Sequence, residues 1–507
     1  MPTPELLDLA FTRAAGAVLV GGNDVRILRD ARENYPAWLA AIDAAERTIL
    51  FENYMFCDDE IGVRFADALA RQARAGVRVR VIYDWLGSFS RASARYWRAL
   101  ASAGAQVRCF NPPRLSAPVG ALHRDHRKML AVDGRVGFVT GLCVGRMWAG
   151  NPGRGVAPWR DTGVEIRGPA LGDIERAFAQ VWEAIGPALP SEELSERSAI
   201  PPSGAIGVRI VASSPGMAGV LRLDQLIAAA ARHSLWLTDA YFAGIPPYVQ
   251  ALRAAAIDGV DVRLLVPGAS DIALLRPLSQ AGYRPLLEAG VRVFEWKGSM
   301  LHAKTAVADG RWARVGSSNL NIASWIGNYE LDAVVEDETF ATAMEQMYLE
   351  DLSGSIEIVL RRRRRRPFAA MSGRIRARPR LRRALARAAR RQGGSASRAA
   401  AGALRIGRTV GAALSEERVL APTEARLVAG FALLIAAAAA AVILWPMLAA
   451  VPAAVLLGWA ALTLVAKALA LRRERRERGL PPMRLARTRR DLRAAEDYPG
   501  PPPPSAR

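Results

Sequence analysis

His302-Ala303-Lys304, followed by Asp309 and by Gly316-Ser317-Ser318-Asn319, puts an imidazole, an ammonium and a group of hydroxyl and amide donors on one short stretch of chain. A second, imperfect copy lies upstream: His126-Arg127-Lys128, Asp133, then Thr140-Gly141-Leu142-Cys143. In both copies the Asp stands seven residues after the His, and the small-residue turn begins seven after that Asp. Residue usage sharpens the coincidence. The chain has only four Lys (Lys128, Lys297, Lys304, Lys467) and four His (His123, His126, His233, His302), and two of each fall in the motifs.

The spacing suits one kind of chemistry. Side chains two apart on an extended chain share a face, so each copy can aim one imidazole and one ammonium at a common pocket. Two copies related by a twofold axis would surround a single phosphate. Lys supplies charge for the non-bridging oxygens, and Ser317 and Asn319 add donors as charge builds in the transition state. One neutral His can attack phosphorus while the other, protonated, delivers a proton to the leaving oxygen. These groups cover every role in phosphodiester cleavage, so neither a metal nor another cofactor is expected.

The paired His-x-Lys-x4-Asp motif resembles that of the phospholipase D superfamily, and within it the bacterial cardiolipin synthase branch, over roughly residues 20 to 355. The resemblance implies that His126 is the nucleophile and His302 the general acid. It further implies that an acid on the strand after each motif, Asp161 in Trp159-Arg160-Asp161 and Glu330 in Asn328-Tyr329-Glu330, bonds a catalytic His and fixes its tautomer. The chain departs from the family in having Cys143 where the pattern of Asn319 places Asn. Asp133 and Asp309 complete the motifs and are expected to brace turns.

The elements that must hold these residues follow from periodicity. In the first half the pattern predicts a helix near 33–45, a strand over Thr48–Phe56, a helix at 60–75, a strand at 77–83, a helix at 91–103 and a strand at 106–110. The second half repeats it: a strand over Leu235–Phe242, a helix at 246–257, a strand over Val260–Val266, a helix at 273–289 and a strand over Val291–Phe294. Glu52-Asn-Tyr-Met-Phe parallels Asp239-Ala-Tyr-Phe, and Gly-Val-Arg-Val-Arg-Val parallels Gly-Val-Asp-Val-Arg-Leu. This internal repeat predicts a duplicated α/β fold of two pseudo-twofold lobes. The expected divisions are a lead-in at 1–22, lobes at 23–187 and 207–355 joined by a linker at 188–206, an Arg-rich segment at 356–426, two membrane helices at 427–466 and a basic, Pro-rich tail at 467–507.

Charge divides the chain in the same way. Of the formal net charge of +21, residues 361–507 contribute +24, leaving −3 for the first 360. A nucleic-acid enzyme should carry its basic face on the catalytic body, so a nucleic-acid phosphodiesterase is the weaker reading and no dedicated nucleic-acid partner is expected. Leu427–Trp445 and Met447–Ala466 carry no charge, and each can span a hydrocarbon core of ~30 Å. Arg-rich flanks on both outer sides predict a transmembrane hairpin with both termini in the cytoplasm, beside the anionic lipid those flanks attract. The flanks favour an anionic phospholipid surface, and the resemblance implies phosphatidylglycerol in a bacterial inner membrane as the substrate. An alcohol acceptor gives phosphatidyl transfer and cardiolipin, and a water acceptor gives phospholipase D hydrolysis.

The remaining candidates have plainer readings. His123 and His126 have a metal pair's spacing but no further ligand at hand. His233 ends a helix. Three scattered cysteines, Cys57, Cys109 and Cys143, form no disulfide framework. Residues 147–159 form either an interfacial lip, with Trp148 and Trp159 at headgroup level, or a packed loop.

Overall fold

The structure, a computed structural model, describes residues 4–113, 123–272 and 275–360. The first half contributes β1 (Val20–Arg29), β2 (Thr48–Asn53), β3 (Arg78–Asp84), β4 (Gln106–Phe110), β5 (Lys128–Val132), β6 (Val136–Thr140) and β7 (Thr162–Arg167). The second contributes β8 (Ile206–Ser213), β9 (Ser234–Thr238), β10 (Asp261–Pro267), β11 (Arg292–Trp296), β12 (Thr305–Ala308), β13 (Trp312–Gly316), β14 (Glu330–Glu336) and β15 (Ser355–Ile358).

These strands are hydrogen-bonded in the order β15-β11-β10-β9-β12-β13-β14-β8-β1-β7-β6-β5-β2-β3-β4. Apart from the added edge strand β15, the order is a palindrome about the β8–β1 seam, each first-half strand standing where its second-half equivalent stands. The pairing directions repeat as well. β2, β3 and β4 are parallel like β9, β10 and β11, and the two motif hairpins run antiparallel beside them. The duplicated α/β fold is therefore realised strand for strand.

The expected helices appear as Asp30–Asp43, Glu60–Arg74 and Ala94–Ser102, then Pro246–Ile257 and Leu275–Glu288. The helix expected from 91 begins at Ala94 because the Ser93 hydroxyl accepts from the Tyr96 N–H and caps it. The strand expected to reach Phe56 stops at Asn53, where the chain turns to exchange backbone bonds with Val144 (Val144 N to Met55 O, Cys57 N to Val144 O). The expected lead-in holds a helix, Pro4–Ala15, and the first three residues of β1. Phe11 and Ala15 of that helix are buried among second-half residues such as Val220 and Leu223.

The inner faces of the two halves share one core. Val139, Val164 and Ile166 meet Ala313, Val315 and Leu331, with helices Leu171–Ala184 and Glu338–Ser353 in the same cluster. Each half then has its own outer core, one around Trp38, Phe51 and Phe65, the other around Leu252, Leu264 and Leu286. The expected Arg-rich segment begins inside β15, and its remainder from 361, the two apolar stretches and the tail lie outside the described residues. Among the described residues no helix is long and apolar enough to cross a membrane.

Candidate active site

Each motif folds as a hairpin whose two ends do different work. Asp133 (φ 57°) and Gly134 (φ 65°) form the turn between β5 and β6, and Asp309 (φ 52°) and Gly310 (φ 61°) the turn between β12 and β13. Two left-handed residues in succession are the signature of a tight hairpin turn that matches strand twist, and Asp and Gly tolerate the conformation. The Asp133 carboxylate accepts from the N–H groups of Glu46, Arg47 and Thr48 at 2.7–2.8 Å. Asp309 accepts likewise from Arg232, His233 and Ser234 at 2.8–2.9 Å. The structure thus holds both Asp at the far end of their strands from the histidines, and His233 in the stretch that Asp309 gathers.

The opposite ends converge. His126 Nδ1 lies 2.9 Å from Glu330 Oε2, and His302 Nδ1 lies 2.7 Å from Asp161 Oδ2. Each imidazole is paired with the acid of the other half. The backbone repeats the exchange. His126 N donates to Tyr329 O (2.9 Å) and Tyr329 N to Arg124 O (2.9 Å), while His302 N donates to Arg160 O (2.7 Å) and Arg160 N to Met300 O (2.9 Å). A carboxylate on Nδ1 makes that nitrogen the donor and leaves Nε2 with its lone pair.

The two lysines complete the cluster. Lys128 Nζ donates to the His126 carbonyl at 2.5 Å, and Lys304 Nζ donates to the His302 carbonyl and lies 3.0–3.1 Å from the His302 ring nitrogens. Tyr54 stands edge-on to His126 at 5.0 Å and Tyr241 to His302 at 5.7 Å, and each ring also lies under its half's lysine. These tyrosines, at matching places in Glu52-Asn-Tyr and Asp239-Ala-Tyr, are site neighbours whose signal was the repeat itself.

The turns differ between copies. Ser317 Oγ donates to Glu330 Oε2 at 2.5 Å, and Asn328 Nδ2 to Oε1 at 3.2 Å. Asn319 is buried and its side-chain oxygen has no protein partner. In the first copy Gly141 occupies Ser317's place, and Cys143, also buried, occupies Asn319's.

Burial sets the charge states. It lowers the proton affinity of both imidazoles, and the nearby ammoniums add to this. His302 falls to about 4, and His126 is lowered in the same direction because Glu330 opposes its desolvation only in part. Desolvation also lowers Lys304. Burial pushes Asp161 and Glu330 upward, yet their histidine partners and the adjacent ammoniums outweigh it and hold both below the usual carboxylate range. At neutral pH the arrangement is two neutral imidazoles on two carboxylates.

Several residues have roles the sequence did not disclose. Trp148 is 1% exposed, so it does not stand at headgroup level; its ring is edge-on to His302 at 5.4 Å, with Trp159 beside it. Arg127, fully buried, donates across the halves to the carbonyls of Glu330 and Ser213 and within its own half to Ala177 O and Gln180 Oε1. No residue pattern announces an Arg inside a His-x-Lys triplet as a staple between lobes. His123 is exposed, with Nδ1 2.8 Å from Gly327 O, and among the described residues no cluster of three or more His, Cys, Asp or Glu could hold a metal ion.

A palindromic sheet that brings two His-x-Lys motifs to one cluster defines a duplicated phospholipase D-like protein. The family described as cardiolipin synthase, phospholipase D-like domain, matches residues 38–145 and 223–352, one match per half. The chain is 32% identical over 350 residues to cardiolipin synthase of Alkalihalophilus pseudofirmus, covering 68% of this chain and 69% of that protein. It is 34% identical over 365 residues to cardiolipin synthase A of Pseudomonas aeruginosa, covering 70% and 72%. The chain belongs to the cardiolipin synthase family of phospholipase D-like proteins. Its fold is also that of the phosphatidylserine synthase of Haemophilus influenzae, with a TM-score of 0.54 at 14% identity over 69% of this chain and 92% of that one.

Proposed function

We propose that the chain is a phosphatidyltransferase that makes cardiolipin from phosphatidylglycerol through a phosphatidyl-histidine. The observation that carries this is the pair of crossed imidazole–carboxylate contacts, at 2.9 and 2.7 Å, with both lysines alongside, in a chain of this family.

In the proposed sequence His126 Nε2 attacks phosphorus of one phosphatidylglycerol, and the bond to the headgroup glycerol breaks. His302, protonated, gives that oxygen its proton. The headgroup hydroxyl of a second phosphatidylglycerol then attacks the phosphatidyl-histidine, its proton passing to His302, and the His126 N–P bond breaks. His302 rests neutral, so it takes up a proton from solvent as the substrate binds; the anionic phosphodiester against the imidazole favours that charge. Lys128 and Lys304 hold the non-bridging oxygens together with the Asn319 Nδ2 donor, while Ser317, whose one hydroxyl proton goes to Glu330, acts through that carboxylate. Glu330 and Asp161 fix the tautomers of His126 and His302.

Exposed apolar residues support an amphipathic substrate. Leu86 and Phe89 follow β3, where Gly87 packs directly on Tyr54, and Ile322 and Ile326 follow the second motif turn. Each is 43–58% exposed, beside the segments that carry the histidines, where acyl chains must leave a phosphate bound between them. We further assign the apolar stretches at 427–466 to a membrane hairpin that holds the catalytic body at the cytoplasmic surface, on the strength of their length and Arg-rich flanks.

The test is incubation of the full-length protein with labelled phosphatidylglycerol in mixed micelles, with His126→Ala and His302→Ala alongside. Cardiolipin and glycerol in equal amounts, from the wild type only, are the expected products. Phosphatidic acid alone would make the protein a hydrolase, and absence of any phospholipid turnover would overturn the reading.

A further inference from the structure

The two carboxylates that orient the histidines are themselves held, and by different means. On Glu330, Oε2 accepts from Ser317 Oγ as well as from His126, and the Ser317 hydroxyl in turn accepts from Leu331 N at 2.9 Å. The strand registers make Asp161 the equivalent of Glu330, since Thr140 pairs with Gly163 as Gly316 pairs with Asp332. The same registers put Gly141 where Ser317 stands, and both make the matching backbone bond, Gly141 N to Thr162 O and Ser317 N to Leu331 O.

No serine fits at 141. A Cβ added there would lie 2.2 Å from Asp161 Oδ1, because the shorter acid draws its carboxylate in against the glycine. The missing donor comes from elsewhere in the chain. Trp148 Nε1–H donates to Asp161 Oδ2 at 3.0 Å, the same oxygen that receives His302 Nδ1 at 2.7 Å, while Oδ1 accepts from Thr162 N at 2.9 Å.

Trp148 is anchored for this. The turn before it is tied to the Tyr35 hydroxyl, which donates to the Cys143 carbonyl at 2.6 Å, and to Asp59, which accepts from Arg146 N at 2.9 Å. Trp325, which follows the second motif turn in a similar Trp-x-Gly sequence, is buried but leaves its N–H without a partner. Only the first copy uses its tryptophan to reach the acid.

We propose that Trp148 is the positioning residue of the His302 half: its indole N–H replaces the Ser317 hydroxyl, fixing Asp161 and through it the tautomer and orientation of His302. The proposal rests on the assignment of His302 to catalysis, and the asymmetry it describes means that the two histidines are tuned by chemically different groups. Removing the indole donor deprives an ionised carboxylate of one hydrogen bond, which raises its proton affinity and frees it to turn.

The test replaces Trp148 in the full-length protein with benzothienylalanine, which keeps the ring system and lacks the N–H, with Trp148→Phe as the ordinary variant and Trp159→Phe as the control. The isostere should lower kcat for phosphatidyl transfer roughly 10- to 100-fold, the range for one charge-assisted hydrogen bond, with little change in KM, while Trp159→Phe stays within a few-fold. In an Asp161→Asn background the same replacement should cost little more, because both act through one carboxylate. A second readout needs no turnover. With 15N-labelled histidine, the hydrogen-bonded Nδ1 proton of His302 should be protected from exchange in the wild type and lose that protection in the isostere. Unchanged kcat and unchanged protection would overturn the proposal. A protected proton that the isostere exposes, in a protein that moves no phosphatidyl group, would uphold Trp148's positioning role and overturn the catalytic reading instead.

Discussion

Each histidine donates from Nδ1 to a buried carboxylate, and the value of that contact is set by burial. Asp161→Asn and Glu330→Gln keep the shape and can present the wrong hydrogen-bonding group to the imidazole. Each should lower kcat roughly 10²- to 10⁴-fold with modest change in KM, the range expected when an orienting acid no longer fixes the tautomer. Steady-state kinetics in mixed micelles checks this, and a loss of less than about five-fold in either variant, allowing for the scatter of such assays, would remove that acid from the mechanism. His302 also makes stability depend on pH. Its folded proton affinity is depressed from 6.5 to about 4 by burial and Lys304, so between those values the unfolded chain binds a proton the folded chain refuses. Stability should therefore be intact above about pH 6.5 and fall as pH drops toward 4, by about 3 kcal/mol from this residue. Denaturant melts of wild type and His302→Gln over that window should converge as pH falls, because the variant lacks the term.

At the scale of elements, the motif hairpins separate support from chemistry. Asp309 gathers three backbone N–H groups and holds a left-handed turn at the end remote from His302. Asp309→Ala strands those donors and should cost about 2–4 kcal/mol, while kcat of the folded fraction stays within a few-fold. A calorimetric melt beside an active-site titration distinguishes this from a catalytic role, which would leave stability and abolish turnover. The apolar loops invite a different comparison. Phe89→Ser and Ile322→Ser should leave transfer in mixed micelles nearly unchanged and reduce it several-fold on phosphatidylglycerol vesicles, where the loops must meet a bilayer. Equal rates on both substrates would show that the loops take no part in lipid engagement.

At the scale of the whole molecule, the exchange of acids makes the halves interdependent. Neither half carries a complete histidine–carboxylate pair, and Arg127 and Arg160 fasten them together; Arg160 bonds Asp351 at 2.8–3.1 Å. Arg127→Met leaves buried carbonyls of both halves without donors and should destabilise by about 3 kcal/mol or more, with transfer lost in step with unfolding. For the C-terminal part, a chain ending at residue 360 should leave the membrane fraction while retaining transfer in micelles. Continued sedimentation of that truncated chain with membranes would place the principal anchor in the catalytic body.

Much of this was legible in residue order alone. Two copies of His-x-Lys-x4-Asp, rare Lys and His concentrated in them, and parallel flanking strands specify a duplicated fold and the six motif residues, because the same polar and apolar spacing, with Asp-Gly at the turn, favours the same hairpin in each half. The acids Asp161 and Glu330 could be picked out from the resemblance to a known family, Asp161 just before β7 and Glu330 at the start of β14. Sequence could not say that each serves the histidine of the other half, since that depends on strands 141 and 204 residues apart meeting across a seam. It likewise missed β1, whose Gly21-Gly22-Asn23-Asp24 run breaks strand patterning and whose pairing partners, β7 and β8, lie far along the chain. Trp148 read as well for an interfacial tryptophan as for a packed one. Only tertiary packing decided that its N–H faces Asp161, because a hydrogen bond to a buried carboxylate is a property of the space left by Gly141 and of no local pattern.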